Sequence, residues 1–140
     1  MRLMGLDVGE KRVGIALSDP LGWTAQSHGI MQRSGFTEEV RYLKEICTEY
    51  AVEKLIIGLP LNMNGTKGPK AQEVEEYALR LADALELSYE WVDERLTTKS
   101  ARDLLIQSDV SRGKRKKLVD KMAAAYILQV YLDKMAHNNN

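Results

Sequence analysis

Asp7 lies near the end of Arg2-Leu3-Met4-Gly5-Leu6-Asp7-Val8-Gly9, an apolar, strand-like run that otherwise carries no acid. A carboxylate in such a place is costly unless a cation or strong hydrogen bonds compensate its charge, so Asp7 is a candidate for cation binding or catalysis. A second out-of-place carboxylate is Asp120, in Leu118-Val119-Asp120-Lys121-Met122-Ala123-Ala124-Ala125-Tyr126, a segment otherwise suited to burial. Acids recur at Asp93-Glu94-Arg95, where a short strand pattern ends. Ligands of open α/β sheets gather beyond the carboxyl ends of strands. Carboxylates converging from a first strand, a later strand's end and a last helix would form an oxygen-rich set suited to Mg²⁺ or Mn²⁺. Two such ions roughly 3.5–4 Å apart can activate water and stabilise the leaving oxygen in phosphodiester cleavage. The competing reading is structural: Asp7 caps a turn, Asp93 or Glu94 pairs with Arg95, and Asp120 answers Lys116 or Lys121.

Those residues need elements to carry them. Residues 2–8 and 12–19 read as two strands joined at Gly9-Glu10-Lys11-Arg12, and Thr24 to Met31 as a third after the turn Asp19-Pro20-Leu21-Gly22. Val40, Leu43, Ile46 and Cys47 recur at helical spacing between Thr37 and Tyr50. Lys54 to Leu59 is a short continuous apolar run, as expected of a central strand covered on both faces. Leu61 to Pro69 breaks every period and reads as a loop. Lys70 to Leu87 carries Val74, Tyr77, Ala78, Leu81 and Leu85 on one helical stripe, and Tyr89 to Val92 is a brief strand. Thr97 or Thr98 can cap a helix through Ile106, Asp109 to Lys117 reads as a basic connection, and a last helix covers Leu118 to Met135. This order predicts a mixed α/β sheet with packed helices. The expected organisation is one domain over residues 1–136, with a disordered tail at 137–140.

With 140 residues, 44% of them hydrophobic and 29% charged, the composition is that of a globular chain. No apolar stretch is long enough to span a bilayer. The chain enters its first strand without the pattern of a secretory signal, which sets the expectation of a cytoplasmic location. Cys47 is the only cysteine, so no intrachain disulfide forms, and it reads as a packing residue. His28 and His137 are the only histidines, which argues against a His-rich zinc site or a Ser-His-Asp triad. Formal net charge is zero, yet Glu73 to Glu94 carries −7 and Arg95 to Lys121 carries +6. A basic segment beside an acidic one fits a phosphate-contacting surface next to a metal-holding cluster, although a solvated helix face produces the same count.

Four segments together resemble the YqgF family: Leu6-Asp7-Val8-Gly9 with Arg12-Val13-Gly14-Ile15-Ala16; Gly58-Leu59-Pro60-Leu61-Asn62-Met63-Asn64-Gly65; Asp93-Glu94-Arg95-Leu96-Thr97-Thr98; and Asp120-Lys121-Met122-Ala123-Ala124. Members are described as Holliday-junction-resolvase-like proteins and as pre-16S rRNA nucleases. The resemblance implies an RNase H-like fold, with a central five-stranded mixed sheet flanked by helices. It also implies a metal-dependent endonuclease using Mg²⁺ or Mn²⁺, with Asp7, Glu94 and Asp120 as the catalytic and metal-binding acids. Asp93 is the alternative to Glu94; since strand neighbours point to opposite faces, only one of the two should reach the site. Arg12, Asn62, Asn64, Arg95 and Lys99 are the implied substrate contacts. The expected partner is structured RNA or branched DNA, bound by a monomer or homodimer.

Two rivals remain at this level. The actin and sugar-kinase type of ATP-binding domain shares the strand, Asp-x-Gly turn and hairpin, but needs two such domains and a second phosphate loop. A ribosome-assembly factor could bind nucleic acid through Arg112 to Lys117 without cleaving it. Mg²⁺-dependent turnover separates a nuclease from such a binder, whose signature is salt-dependent loss of phosphate contacts.

Overall fold

The protein's structure, a computed structural model, describes residues 2–96 and 112–138, with side chains described for 2–96 and 122–138. Strands β1 (Arg2–Val8), β2 (Arg12–Ser18), β3 (Ala25–Gln32), β4 (Val52–Leu59) and β5 (Ser88–Asp93) form one sheet in the order β3-β2-β1-β4-β5. β1 is parallel to β4 and β4 to β5, whereas β1–β2 and β2–β3 are antiparallel, so the sheet is mixed as expected. Helices α1 (Phe36–Tyr50) and α2 (Pro69–Leu85) cover one face and α3 (Arg112–Asn138) the other.

Strand alternation decides which residues meet which helices. Met4, Leu6 and Val8 enter the core beneath α1 and α2, whereas Leu3 joins the core beneath α3. Gly5 and Asp7 therefore share the α3 face. That face is lined with small residues where the helix crosses it: a Cβ on Gly5 would stand 2.8 Å from both the Ala124 carbonyl oxygen and the Leu128 Cβ. Ala16 and Ala124, both buried, continue the close approach.

The boundaries differ from expectation in informative places. α3 begins at Arg112 and runs through Asn138, so the basic stretch from Arg112 to Lys117 is helical, as are His137 and Asn138. Lys and Arg are good helix formers, and their charge alone does not break a helix. The helix expected over Thr97–Ile106 lies outside the described residues, as do Asn139 and Asn140. In β2–β3 the register passes from Ile15 opposite Gly29 to Ala16 opposite Ser27, leaving His28 as the extra residue of a bulge. Its exposed ring packs edge-on against Tyr50, centroids 5.4 Å apart. Among the described residues, no helix is long and apolar enough to cross a membrane.

Candidate active site

β1, β4 and β5 all point their carboxyl ends to one edge of the sheet, and Asp7 and Glu94 meet there. Asp7 pairs with Gly14 in the β1–β2 ladder, and a Cβ on Gly14 would lie 3.5 Å from both the Asp7 and Ala124 Cβ atoms. Gly58 pairs with Val92, which is buried beneath α3. Two residues on, just beyond β5, Glu94 returns to that face and lies over Gly58: a Cβ there would come within 2.6 Å of Glu94 Oε1 and 2.5 Å of Ile127 Cδ1. Three glycines thus make the floor on which α3 and the acids rest.

Burial pushes the Glu94 carboxyl up to about 8, and the charge of Asp7 and a hydrogen bond to it push in the same direction, while the Lys70 ammonium opposes them. The two facing carboxyl groups therefore resist carrying two negative charges at once. Asp93 behaves in the opposite way. Hydrogen bonds from Arg95 hold its carboxyl below the usual range against the effect of burial. The guanidinium of Arg95 grips it through Nη2 at 2.6 Å and Nε at 3.0–3.1 Å, and donates from Nη1 to the Met63 carbonyl at 3.1 Å.

Asn62 and Asn64 spend polar atoms on their own loop. Asn62 Nδ2 donates to Thr66 Oγ1 at 3.0 Å, and Asn64 Oδ1 accepts from the Thr66 hydroxyl at 2.6 Å and its N–H at 3.1 Å. Arg12 is exposed at the start of β2 and makes no ion pair among the described residues. By alternation from Ala16 and Gly14 it stands on the Asp7 face. Lys99 lies outside the described residues, and so does the side chain of Asp120. The Asp120 backbone is in α3, one helical turn before Ala124.

A family model described as "RuvX: Holliday junction resolvase" matches residues 1–134. The chain belongs to this family. RuvX is the YqgF family of the sequence resemblance. A "Putative pre-16S rRNA nuclease" of Syntrophomonas wolfei is 58% identical over 133 residues, covering 95% of this chain and 94% of that protein. One of the same description from Desulforamulus reducens is 51% identical over 133 residues, covering 95% and 97%. Among solved structures, T. thermophilus RuvC in complex with Holliday junction substrate aligns with a TM-score of 0.57 at 16% identity, covering 96% of each chain. That likeness concerns the fold, which is RNase H-like. The RuvX chain described here is a nuclease.

The donor chemistry of the site suits a hard divalent cation: two facing carboxyl groups whose joint negative charge is disfavoured where they stand and which a cation would offset. Among the described residues, no group of three or more His, Cys, Asp or Glu forms a metal-holding cluster. Sequence reasoning missed Lys70, the cation beside Glu94. It also missed a cleft of about 440 Å³ next to the β1–β2 turn, bordered by Gly9, Arg33, Lys70, Tyr77 and Arg80. The legible signal was Gly5, Gly14 and Gly58, glycines in strand patterns, which mark close approach of another element or a ligand.

Proposed function

We propose that this RuvX-family chain is a Mg²⁺- or Mn²⁺-dependent endonuclease that processes the 5′ end of pre-16S rRNA in the cytoplasm, acting as a monomer or homodimer. Asp7, Glu94 and Asp120 form its catalytic, metal-binding set. The observation that carries this reading is the Asp7–Glu94 pair, half-buried and hydrogen-bonded at the carboxyl edge of the sheet. A helical turn before Ala124, position 120 stands toward the Asp7 end of α3, because Gln129 further along the helix binds Ala25 at the opposite end of the sheet. When bound, a pair of divalent ions supplies an activated water and stabilises the leaving oxygen.

The chain's own groups bind and orient the strand. Arg12, on the Asp7 face, and Lys70, beside Glu94, hold substrate phosphates. Lys99 is the third phosphate contact. Asn62 and Asn64 shape the neighbouring loop and face substrate with the polar atoms the loop leaves over. Arg95, exposed and held by Asp93 and the Met63 carbonyl, steadies that loop and offers its remaining N–H groups to phosphate. Pre-16S rRNA is preferred because relatives more than half identical carry that description. The family description favours a second reading, cleavage of branched DNA.

The test is purified protein with Mn²⁺, challenged in parallel with pre-16S rRNA fragments and a four-way DNA junction. Metal-dependent cleavage of the RNA is expected, with at least about a thousandfold loss in Asp7→Asn and an unchanged circular dichroism spectrum. Cleavage of the junction alone would transfer the substrate to DNA. Full activity of Asp7→Asn on both substrates would refute the site assignment.

A further inference from the structure

We propose that the ion pair between half-buried Arg33 and buried Glu39 is a positioning device for Asp7, acting through the Gly9 carbonyl. It rests on the reading that Asp7 is a metal-binding acid.

Glu39 sits in the first turn of α1 and is only 2% exposed. Its two oxygens accept four hydrogen bonds. Oε1 accepts from Arg33 Nε at 3.0 Å and from the Tyr77 hydroxyl at 2.7 Å, and Oε2 accepts from the backbone N–H groups of Ser34 at 2.9 Å and Gly35 at 2.8 Å. A buried ion pair is weak evidence for stability, since well-packed apolar side chains of similar volume often do as well or better. What sets this pair apart is what else it holds. Arg33 Nη1 donates to the Gly9 carbonyl at 2.9 Å, and the Arg33 backbone N–H donates to the Lys11 carbonyl at 2.8 Å. The guanidinium also lies 4.1 Å over the Tyr77 ring, so the side chain is fixed on three sides.

Gly9 is two residues beyond Asp7, and its N–H closes the β1–β2 turn on the Arg12 carbonyl at 2.8 Å. Glu10, Lys11 and Arg12 are exposed, so the turn has little packing of its own. Arg33 therefore ties the end of the Asp7 strand to α1 and α2. Misplacement of a reacting group by about 1 Å can cost roughly a hundredfold in rate. Lysine at position 33 would keep the charge but lose the fork, since one ammonium on a flexible stem cannot reproduce the fixed Nε and Nη1 geometry.

The experiment compares Arg33→Lys with Ile46→Val, a core change in α1 that lowers stability without touching this network. Mn²⁺ affinity is read by electron paramagnetic resonance of the free ion, and kcat and KM on a pre-16S rRNA fragment. Arg33→Lys is expected to weaken Mn²⁺ binding at least fivefold and to lower kcat at least tenfold with KM within twofold. Ile46→Val should leave all three within twofold. Should Arg33→Lys fail to fold, Glu39→Gln gives the same test, keeping the side chain's shape while weakening its hold on Arg33. A folded variant with wild-type Mn²⁺ affinity and kcat would overturn the proposal, as would equal losses in Ile46→Val. Mn²⁺ binding needs no substrate, so wild-type protein that binds the ion but leaves the RNA intact refutes the proposed substrate and not this inference.

Discussion

Gly58→Ala tests whether the glycine floor sets the geometry of the acids. The new Cβ would stand 2.5 Å from Ile127 Cδ1, 2.6 Å from Glu94 Oε1 and 2.8 Å from Glu94 Cγ, all well inside van der Waals contact. Two of these atoms are the far ends of side chains and can swing away, so the stability cost should fall near the bottom of the overpacking range, about 1 kcal/mol. In a chain of this size that corresponds to roughly 3–4 °C in Tm. The Glu94 carboxyl has to move by about an ångström to clear the methyl group, and a shift of that size is expected to cost roughly a hundredfold in kcat. Gly5→Ala should reverse the balance: its Cβ meets the Ala124 carbonyl and Leu128 Cβ at 2.8 Å, atoms that move only with the helix, so about 2–3 kcal/mol is expected. Gly14→Ala, with contacts no closer than 3.5 Å, should change stability by less than about 1 kcal/mol. Urea denaturation and Mn²⁺-dependent cleavage measured on the three variants decide the matter. Wild-type kcat in Gly58→Ala, or a Gly14→Ala loss equal to that of Gly5→Ala, would refute the reasoning.

Glu39→Gln should cost about 2–3 kcal/mol at pH 7, below the 3–5 typical of a broken buried pair because Arg33 is 28% exposed. Burial alone would raise the Glu39 carboxyl, but Tyr77, Gly35, Ser34 and Arg33 outweigh it and hold it below the ordinary value of 4.5. Its contribution is therefore present above pH 4.5 and lost as pH falls through the lower folded value, so the gap in urea midpoint between wild type and Glu39→Gln should narrow on acidification; a constant gap would contradict this. Arg95→Ala should lower stability by less than about 1 kcal/mol, since the pair is part-exposed, while amide exchange across residues 62–66 accelerates at least about tenfold. Burial pushes the Cys47 thiol up to about 11 from 9.0, so a thiol reagent at pH 8 should modify it roughly a hundredfold more slowly in the folded protein than in urea.

The five strands, their mixed sheet and the first two helices were legible because period-2 and period-3.6 patterns in this chain agree with burial. Leu43 and Ile46 bury where the helical stripe places them. Glu39 breaks that agreement: a charge in the first turn of an amphipathic helix reads as solvated, and only the return of Arg33 and Tyr77 from other elements makes it a core residue. Arg95 was legible only in part. Its pairing with Asp93 is a reading that local sequence offers, whereas its hydrogen bond to the Met63 carbonyl comes from a loop 32 residues away and is visible only in the fold. Lys70 escaped notice because its relation to Glu94 joins the start of α2 to the end of β5, a proximity created by parallel strands that share one edge.

Asp93 and Glu94 show how the fold gives two adjacent acids opposite surroundings. One residue of strand alternation sends them to opposite faces. On its face Asp93 meets a guanidinium that holds its charge, and becomes part of the latch on the 61–68 loop. On the other, Glu94 meets Asp7, a glycine and a helix, so its charge is disfavoured until something cationic arrives. Environments that push two carboxyl groups in opposite directions are a general means of assigning different roles to the same functional group. Exchanging the two acids would leave composition and net charge untouched. It would nevertheless put the shorter side chain over Gly58 and the longer one against Arg95, loosening the latch and pulling the carboxyl away from Asp7. The order Asp-Glu therefore decides which acid meets Asp7 and which meets Arg95.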